Sequence, residues 1–298
     1  MIKVKNFLFN IRQIGIGYFY LSITYKFHKA LSIFSRKIYV SESSIRSWSD
    51  DGEYLKVIKK FLSNEKSFKN FKRNHFYREV LEHASYQEGL EYIKIINEEN
   101  SELINKIKSF QINDVIGNPV VYNYENIGFF SPTTLRYLRV ASDIKKNFGN
   151  INGNIAEIGC GYGGQYLVLD KTFTFNSYTM FDLLDVNKLI EKYLEHHLTN
   201  SYYKTTTINQ YDNKTTFDFI ISNYAFSELP KKLQIKYMEK FIKLSKAGYM
   251  TMNSGKDDSI KENCLSIEDI KYYLPNLKII KEEPKTQDKN YIIIWGSK

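Results

Sequence analysis

The sequence predicts an α/β protein in which a mainly helical N-terminal region precedes a seven-stranded, mostly parallel sheet with an antiparallel last strand. Three observations carry this. No proline occurs before Pro119, and the apolar residues of that region recur three and four positions apart. After residue 150 short apolar runs alternate with helical stretches, the rhythm of a parallel sheet with crossover helices. The last two runs are separated only by Glu282 to Lys289, too short for a helical crossover, so they must pair antiparallel.

The elements follow in order. From about residue 42 to 110 the helical spacing is carried by Tyr54, Val57, Ile58, Phe61 and Leu62, then by Leu90, Ile93, Ile96, Leu103 and Ile107. The stretch Asn113 to Pro119 breaks it, and Val120 to Tyr124 reads as extended. Ser131 as N-cap and Pro132 at the first helical position open a helix to about Lys146, closed by Gly149. Strands are expected at about 154–158, 177–182, 203–208, 217–222, 248–253, 277–281 and 290–296. Helices are expected at about 163–170, 185–199, 230–246 and 266–274. The change of rhythm divides the chain into a helical N-terminal lobe, residues 1–148, and a sheet domain, residues 149–298.

The chain has 298 residues, 15% of them aromatic, enough apolar mass for a large core, which excludes disorder and fibrous repeats. Its net charge of +9 is uneven, because seven lysines and arginines precede the first acid, Glu42, leaving +2 for the rest. That distribution argues against a nucleic-acid binder, whose basic surface would be broader. Two cysteines, Cys160 and Cys264, make no disulfide framework. The uncharged stretch Gln13 to Tyr25 falls short of the roughly 20 apolar residues of a membrane span, and a cytoplasmic location is expected. Residues 1–40 combine apolar side chains with the positive charge, so they are read either as a peripheral contact with an anionic membrane face or as a helix docked on the core.

The strongest local signal is Ile155-Ala156-Glu157-Ile158-Gly159-Cys160-Gly161-Tyr162-Gly163-Gly164-Gln165, an apolar strand running through a glycine-rich turn into a helix. Such a turn lets a ligand approach the backbone and aims helix N-terminal amides at it. A carboxylate at Glu157 would repel a dinucleotide's diphosphate and attract the cationic amino acid end of S-adenosylmethionine, which favours the sulfonium cofactor over NAD. Asp182 ends the second strand 23 positions after Gly159, close to the spacing of about 20 at which such folds bind ribose hydroxyls. Asp212 follows the third strand, as an adenine contact or as a plain turn residue. The fourth strand leads into Asn223-Tyr224-Ala225-Phe226-Ser227-Glu228-Leu229, which should face the reacting group. Glu228 among apolar neighbours is the first candidate for a general base, with Asn223 and Tyr224 shaping the site.

The blocks Gly159 to Gln165, Asp182-Leu183, Ser222 to Leu229, Gly117-Asn118-Pro119 and Ser131 to Tyr137 resemble the sugar O-methyltransferases of bacterial surface-polysaccharide gene clusters. The resemblance runs from about Phe71 to Asn253. It implies a Rossmann-like class I fold and S-adenosylmethionine as cofactor, held by Glu157, Gly159, Gly161, Tyr162, Gly163, Gln165, Asp182, Asp212 and Asn223. It also implies a small-molecule or glycan acceptor, a sugar that is free, nucleotide-linked, phosphorylated or polymeric; no metal site is expected, because the histidines have no further ligands at metal spacing. Tyr124, Thr134, Arg136, Tyr137 and Ser227 are candidate acceptor contacts, with Arg136 and Arg139 either clamping a phosphate or pairing with lobe acids. Methylation of a phosphoryl or amine substituent, a nucleic-acid methyltransferase and a non-catalytic scaffold remain as alternatives.

Overall fold

The computed structural model describes residues 52–199, 202–212, 214–253, 264–287 and 289–297. The segment read as a membrane contact, 1–40, lies outside the described residues. Helices α1 (Glu53–Ser63), α2 (Glu65–Phe68), α3 (His75–Val80), α4 (Tyr86–Glu99) and α5 (Ser101–Asn105) come first, followed by a 3-10 stretch over Ile107–Asp114. The expected extended run forms a small hairpin of β1 (Tyr122–Tyr124) and β2 (Gly128–Phe130). Helix α6 (Pro132–Phe148) starts as the sequence predicts: Ser131 Oγ accepts the Thr134 amide at 3.1 Å, Pro132 needs no such partner, and Gly149 closes the helix at a φ of 76°.

Then come β3 (Asn154–Ile158), α7 (Gly164–Thr172), β4 (Ser177–Phe181), α8 (Leu184–Leu194), β5 (Tyr202–Thr206), β6 (Phe219–Asn223), α9 (Ala225–Glu228), α10 (Lys231–Lys240), β7 (Ala247–Met252), α11 (Ile267–Tyr273), β8 (Lys278–Lys281) and β9 (Tyr291–Trp295). The sheet order is β5-β4-β3-β6-β7-β9-β8. Neighbours from β5 to β7 are parallel, and β9 inserts antiparallel between β7 and β8. This is the Rossmann-like class I methyltransferase architecture, with the mainly helical region before it and the terminal antiparallel pair that the short Glu282–Lys289 connection predicts.

Both faces of the sheet are covered, which is why its strands read as continuous apolar runs. On one face Ala156, Ile158, Ile220, Met250 and Ile293 join Tyr237 and Met238 of α10 and Ile270 of α11 in one cluster. On the other, Tyr178 meets Tyr166 of α7 with ring centres 4.9 Å apart, and Phe219 meets Phe148 of α6 at 4.8 Å.

The N-terminal helices reach the glycine turn through an aromatic cluster in which Phe71 lies 5.4 Å from Tyr162 and Tyr162 5.0 Å from Tyr193. Lys72 is buried inside it, its Nζ 4.2 Å from the Tyr162 ring centre and bonded to the Asn113 carbonyl. Burial pulls the Lys72 ammonium down to about 8. Gly117 permits this docking: at a φ of 91° its amide carbonyl receives the Lys72 N–H, and a Cβ there would lie 2.6 Å from Phe71.

Candidate active site

The sheet order reverses between β3 and β6, so the crevice beyond their carboxyl ends is where a fold of this kind takes its ligand. Gly159–Gly163 and Asn223–Glu228 both begin there. Gly159, Gly161 and Gly163 have φ of 74°, 58° and 86°, conformations that side chains disfavour. Crowding adds to this, since a Cβ on Gly159 would lie 2.0 Å from that of Ala225 and one on Gly161 2.7 Å from Leu81 Cδ1. Helix α7 opens directly after the turn, with its first amides at the crevice.

Asp182, at the end of β4, braces this turn. Its Oδ2 accepts the amides of Cys160 at 2.7 Å and Gly161 at 3.1 Å, and Oδ1 accepts that of Leu183 at 2.8 Å. Across the crevice Asn223 donates from Nδ2 to Gln165 Oε1 at 3.2 Å, while its buried Oδ1 has no hydrogen-bond partner among the described residues. Gln165 in turn donates to the Tyr137 carbonyl at 3.1 Å. A glycine turn whose positions leave no room for side chains, braced by Asp182 and followed by the first amides of α7, fits the methionine end of S-adenosylmethionine.

Other sequence-predicted contacts are placed differently. Tyr162 is fully buried in the aromatic cluster and accepts from Asn113 Nδ2 at 3.1 Å. Asp212 is exposed in its own turn, accepting the Lys214 amide at 3.2 Å. Glu157 is buried and accepts from Tyr178 Oη at 2.8 Å, and burial pushes its carboxyl up to about 8. At neutral pH it is mostly protonated, so its electrostatic preference for a cation is weaker than a full charge would give.

This has a testable consequence for stability. A carboxyl raised from 4.5 to about 8 loses its stabilising contribution as pH rises through that window, because the unfolded chain ionises first. Glu157→Gln is expected to melt close to the wild type at pH 4.5 and to gain on it by up to a few kcal/mol by pH 9, since each pH unit crossed inside the window costs the wild type about 1.4 kcal/mol. Thermal melts of both proteins across that range check it; a difference that does not change with pH would remove the linkage.

The loop after β6 is tightly organised. Tyr224 adopts a φ of 67°, rare for a non-glycine residue, and its phenol donates to Glu282. Ser227 Oγ donates to the Tyr224 carbonyl at 2.6 Å and accepts the Asn253 amide at 2.9 Å. Glu228 is half-buried and accepts from Asn253 Nδ2 at 3.3 Å.

Beside this loop lies a cavity of about 30 Å³ lined by Tyr92, Arg136, Tyr137, Asn223, Tyr224, Thr251 and Glu282, among others. Arg136 and Tyr137 reach it from α6, but Tyr124, Thr134, Ser227 and Glu228 do not line it. Tyr124 is stacked on Tyr86 at 5.0 Å, and Thr134 donates to Asp114 Oδ1 at 2.7 Å beneath the Ser131 cap. The Arg136 guanidinium donates to the Leu81 carbonyl at 3.0 Å and lies 3.4 Å from His83 Nε2. Arg139 pairs with Glu99 at 3.0 Å and Asp143 at 2.7 Å, the lobe-acid alternative.

No family model matches the sequence, and no curated protein matches it. Among solved structures the chain is similar to the N-methyltransferase NodS from Bradyrhizobium japonicum, at 14% identity over 53% of this chain and 90% of that one, with a TM-score of 0.39. It is similar to an S-adenosylmethionine-dependent methyltransferase from Clostridium acetobutylicum at 13% identity, 53% and 89% coverage and a TM-score of 0.40. The N-terminal domain of EvdMO1, solved in the presence of SAH and D-fucose, matches at 13% identity, 67% and 97% coverage and a TM-score of 0.41.

Sequence reasoning missed Tyr92 and Glu282. For Glu282 a signal existed: it is the first residue beyond a strand's carboxyl end, as Asp182 is. Tyr92 carried none, being one aromatic residue on a helix far upstream of the glycine turn.

Proposed function

We propose that this protein is an S-adenosylmethionine-dependent O-methyltransferase acting on a sugar hydroxyl of a capsular or other surface polysaccharide, or of its nucleotide-linked or phosphorylated precursor. The observation that carries the cofactor reading is the glycine turn at the switch point, braced by Asp182 and followed by the first amides of α7. The sugar acceptor is supported by the sequence blocks named above. When bound, the sulfonium supplies an electrophilic methyl group with a neutral leaving group.

The chain's own task is alignment and proton removal. The turn and the α7 amides fix the donor end, Asp182 keeps the turn in shape, and the loop after β6 presents the acceptor oxygen about 3 Å from the methyl carbon, where orientation alone supplies much of the acceleration. Calorimetry is expected to give micromolar binding of S-adenosylhomocysteine and none of NAD. Equal affinity for NAD would sink the cofactor reading. Mass spectrometry of the surface glycan from a strain lacking the gene is expected to show methyl ethers missing; an unchanged glycan would sink the acceptor reading.

A further inference from the structure

We propose that the cavity between α4, α6 and the carboxyl ends of β6 and β8 is the acceptor subsite, where Tyr92 and Asn223 hold a neutral alcohol and Tyr224, backed by Glu282, takes its proton. The inference rests on the methyl-transfer reading above and assigns residues and an acceptor class that it leaves open.

Topology brings the pieces together. Strands β7 and β8 both pair antiparallel with β9, so β8 runs parallel to β6 and its end opens on the same side of the sheet as Asn223. Glu282 is the first residue past that end, is 7% exposed, and receives the Tyr224 phenol. Its own loop fixes it there: Thr286 donates its amide to Oε2 at 3.2 Å and its hydroxyl at 2.9 Å, and Asn290 Nδ2 donates to Thr286 Oγ1 at 2.8 Å. A carboxylate held this way on a phenol is a preorganised proton acceptor.

Two polar atoms of the cavity walls lack partners among the described residues: Tyr92 Oη, on a residue 2% exposed, and Asn223 Oδ1. Buried polar groups are almost always satisfied, so such a pair points to a ligand. A phenol that donates and an amide oxygen that accepts match an alcohol, which does both. An anion does not fit as well. Glu282 opposes it, and Arg136 is already engaged by Leu81 and His83. Any phosphate on the acceptor therefore stays outside this pocket.

In the transfer the alcohol oxygen forms a bond to the donor methyl carbon while the sulfur–carbon bond breaks, its electron pair returning to sulfur to give a thioether. The alcohol proton passes to Tyr224 Oη as the Tyr224 proton passes to Glu282, which later releases it to solvent.

The test uses the full chain with S-adenosylhomocysteine present, and methyl hexopyranosides and hexose phosphates as probes. Saturation-transfer NMR should show the neutral glycosides binding, with hexose phosphates binding no more tightly, and Tyr92→Phe weakening the glycosides about tenfold, the cost of roughly one lost hydrogen bond. With radiolabelled methyl donor, Glu282→Gln should lower turnover about 10²-fold or more while glycoside KM and cofactor affinity stay within about threefold. Should Glu282→Gln lose cofactor binding through misfolding, Thr286→Ala, which removes the hydroxyl that orients the carboxylate and leaves the carboxylate in place, must lower turnover about tenfold instead. The inference is overturned if no neutral glycoside binds, if only phosphates do, or if the variants match the wild type. A wild-type protein that fails to bind S-adenosylhomocysteine overturns the methyl-transfer reading itself, a separate outcome.

Discussion

Replacing Gly161 with valine is expected to weaken S-adenosylhomocysteine binding by about 10²-fold or more, the largest effect of any single change in the crevice. Gly161 holds a φ of 58°, and a β-branched residue there carries strain of about 1–3 kcal/mol. The new Cβ would also lie 2.7 Å from Leu81 Cδ1, forcing the turn or the Leu81 segment to shift. Either shift breaks the bond from the Gly161 amide to Asp182, at 3.1 Å, that holds the turn. Asp182→Ala should act in the same direction, because it strips the carboxylate from the Cys160, Gly161 and Leu183 amides at once. Calorimetry beside thermal melts separates the effect from unfolding. Full cofactor affinity in a folded Gly161→Val protein would mean that the turn does not carry the cofactor.

The glycine turn was legible in the sequence because its constraints are local: three left-handed glycines between an apolar strand and a helix have few other readings. The succession of strands and helices along the chain follows from rhythm, and the antiparallel β9 from connection length, whereas the order of the strands within the sheet does not. What contacts what across the sheet is different in kind. The Tyr224–Glu282 bond joins residues 58 positions apart through a loop that folds back over β9 and β7 toward β6, and no periodicity reports such a contact. Protonation was equally hidden. Glu157 reads as a charge beside a ligand, yet it is buried, and the tyrosine that partners it comes from the next strand. Arg139 shows the same limit, since an arginine one turn from Arg136 reads as a clamp until Glu99 arrives from α4.

That arginine carries the second large effect. Arg139→Ala is expected to destabilise the fold by about 3–5 kcal/mol at pH 8, because it leaves buried acid without its counter-charge. The guanidinium, 7% exposed, holds Glu99 at 3.0 Å and Asp143 at 2.7 Å and donates from Nε to the Glu283 carbonyl at 3.0 Å, thereby joining α4, α6 and the loop that carries Glu282. Burial raises the Asp143 carboxyl to about 6, with Arg139 opposing that rise. At pH 5 Asp143 is largely protonated and gains less from the guanidinium, so the loss should be smaller there. The sign is fixed by which form is costly: the ionised acid is the one that needs Arg139, and it prevails above about pH 6. Thermal melts at pH 5 and pH 8 check this, with the larger drop at pH 8. Arg139→Lys keeps the charge but not the three-way geometry and should recover only part of the loss. A fall in acceptor binding with no change in melting temperature would instead return Arg139 to the role of an anion clamp.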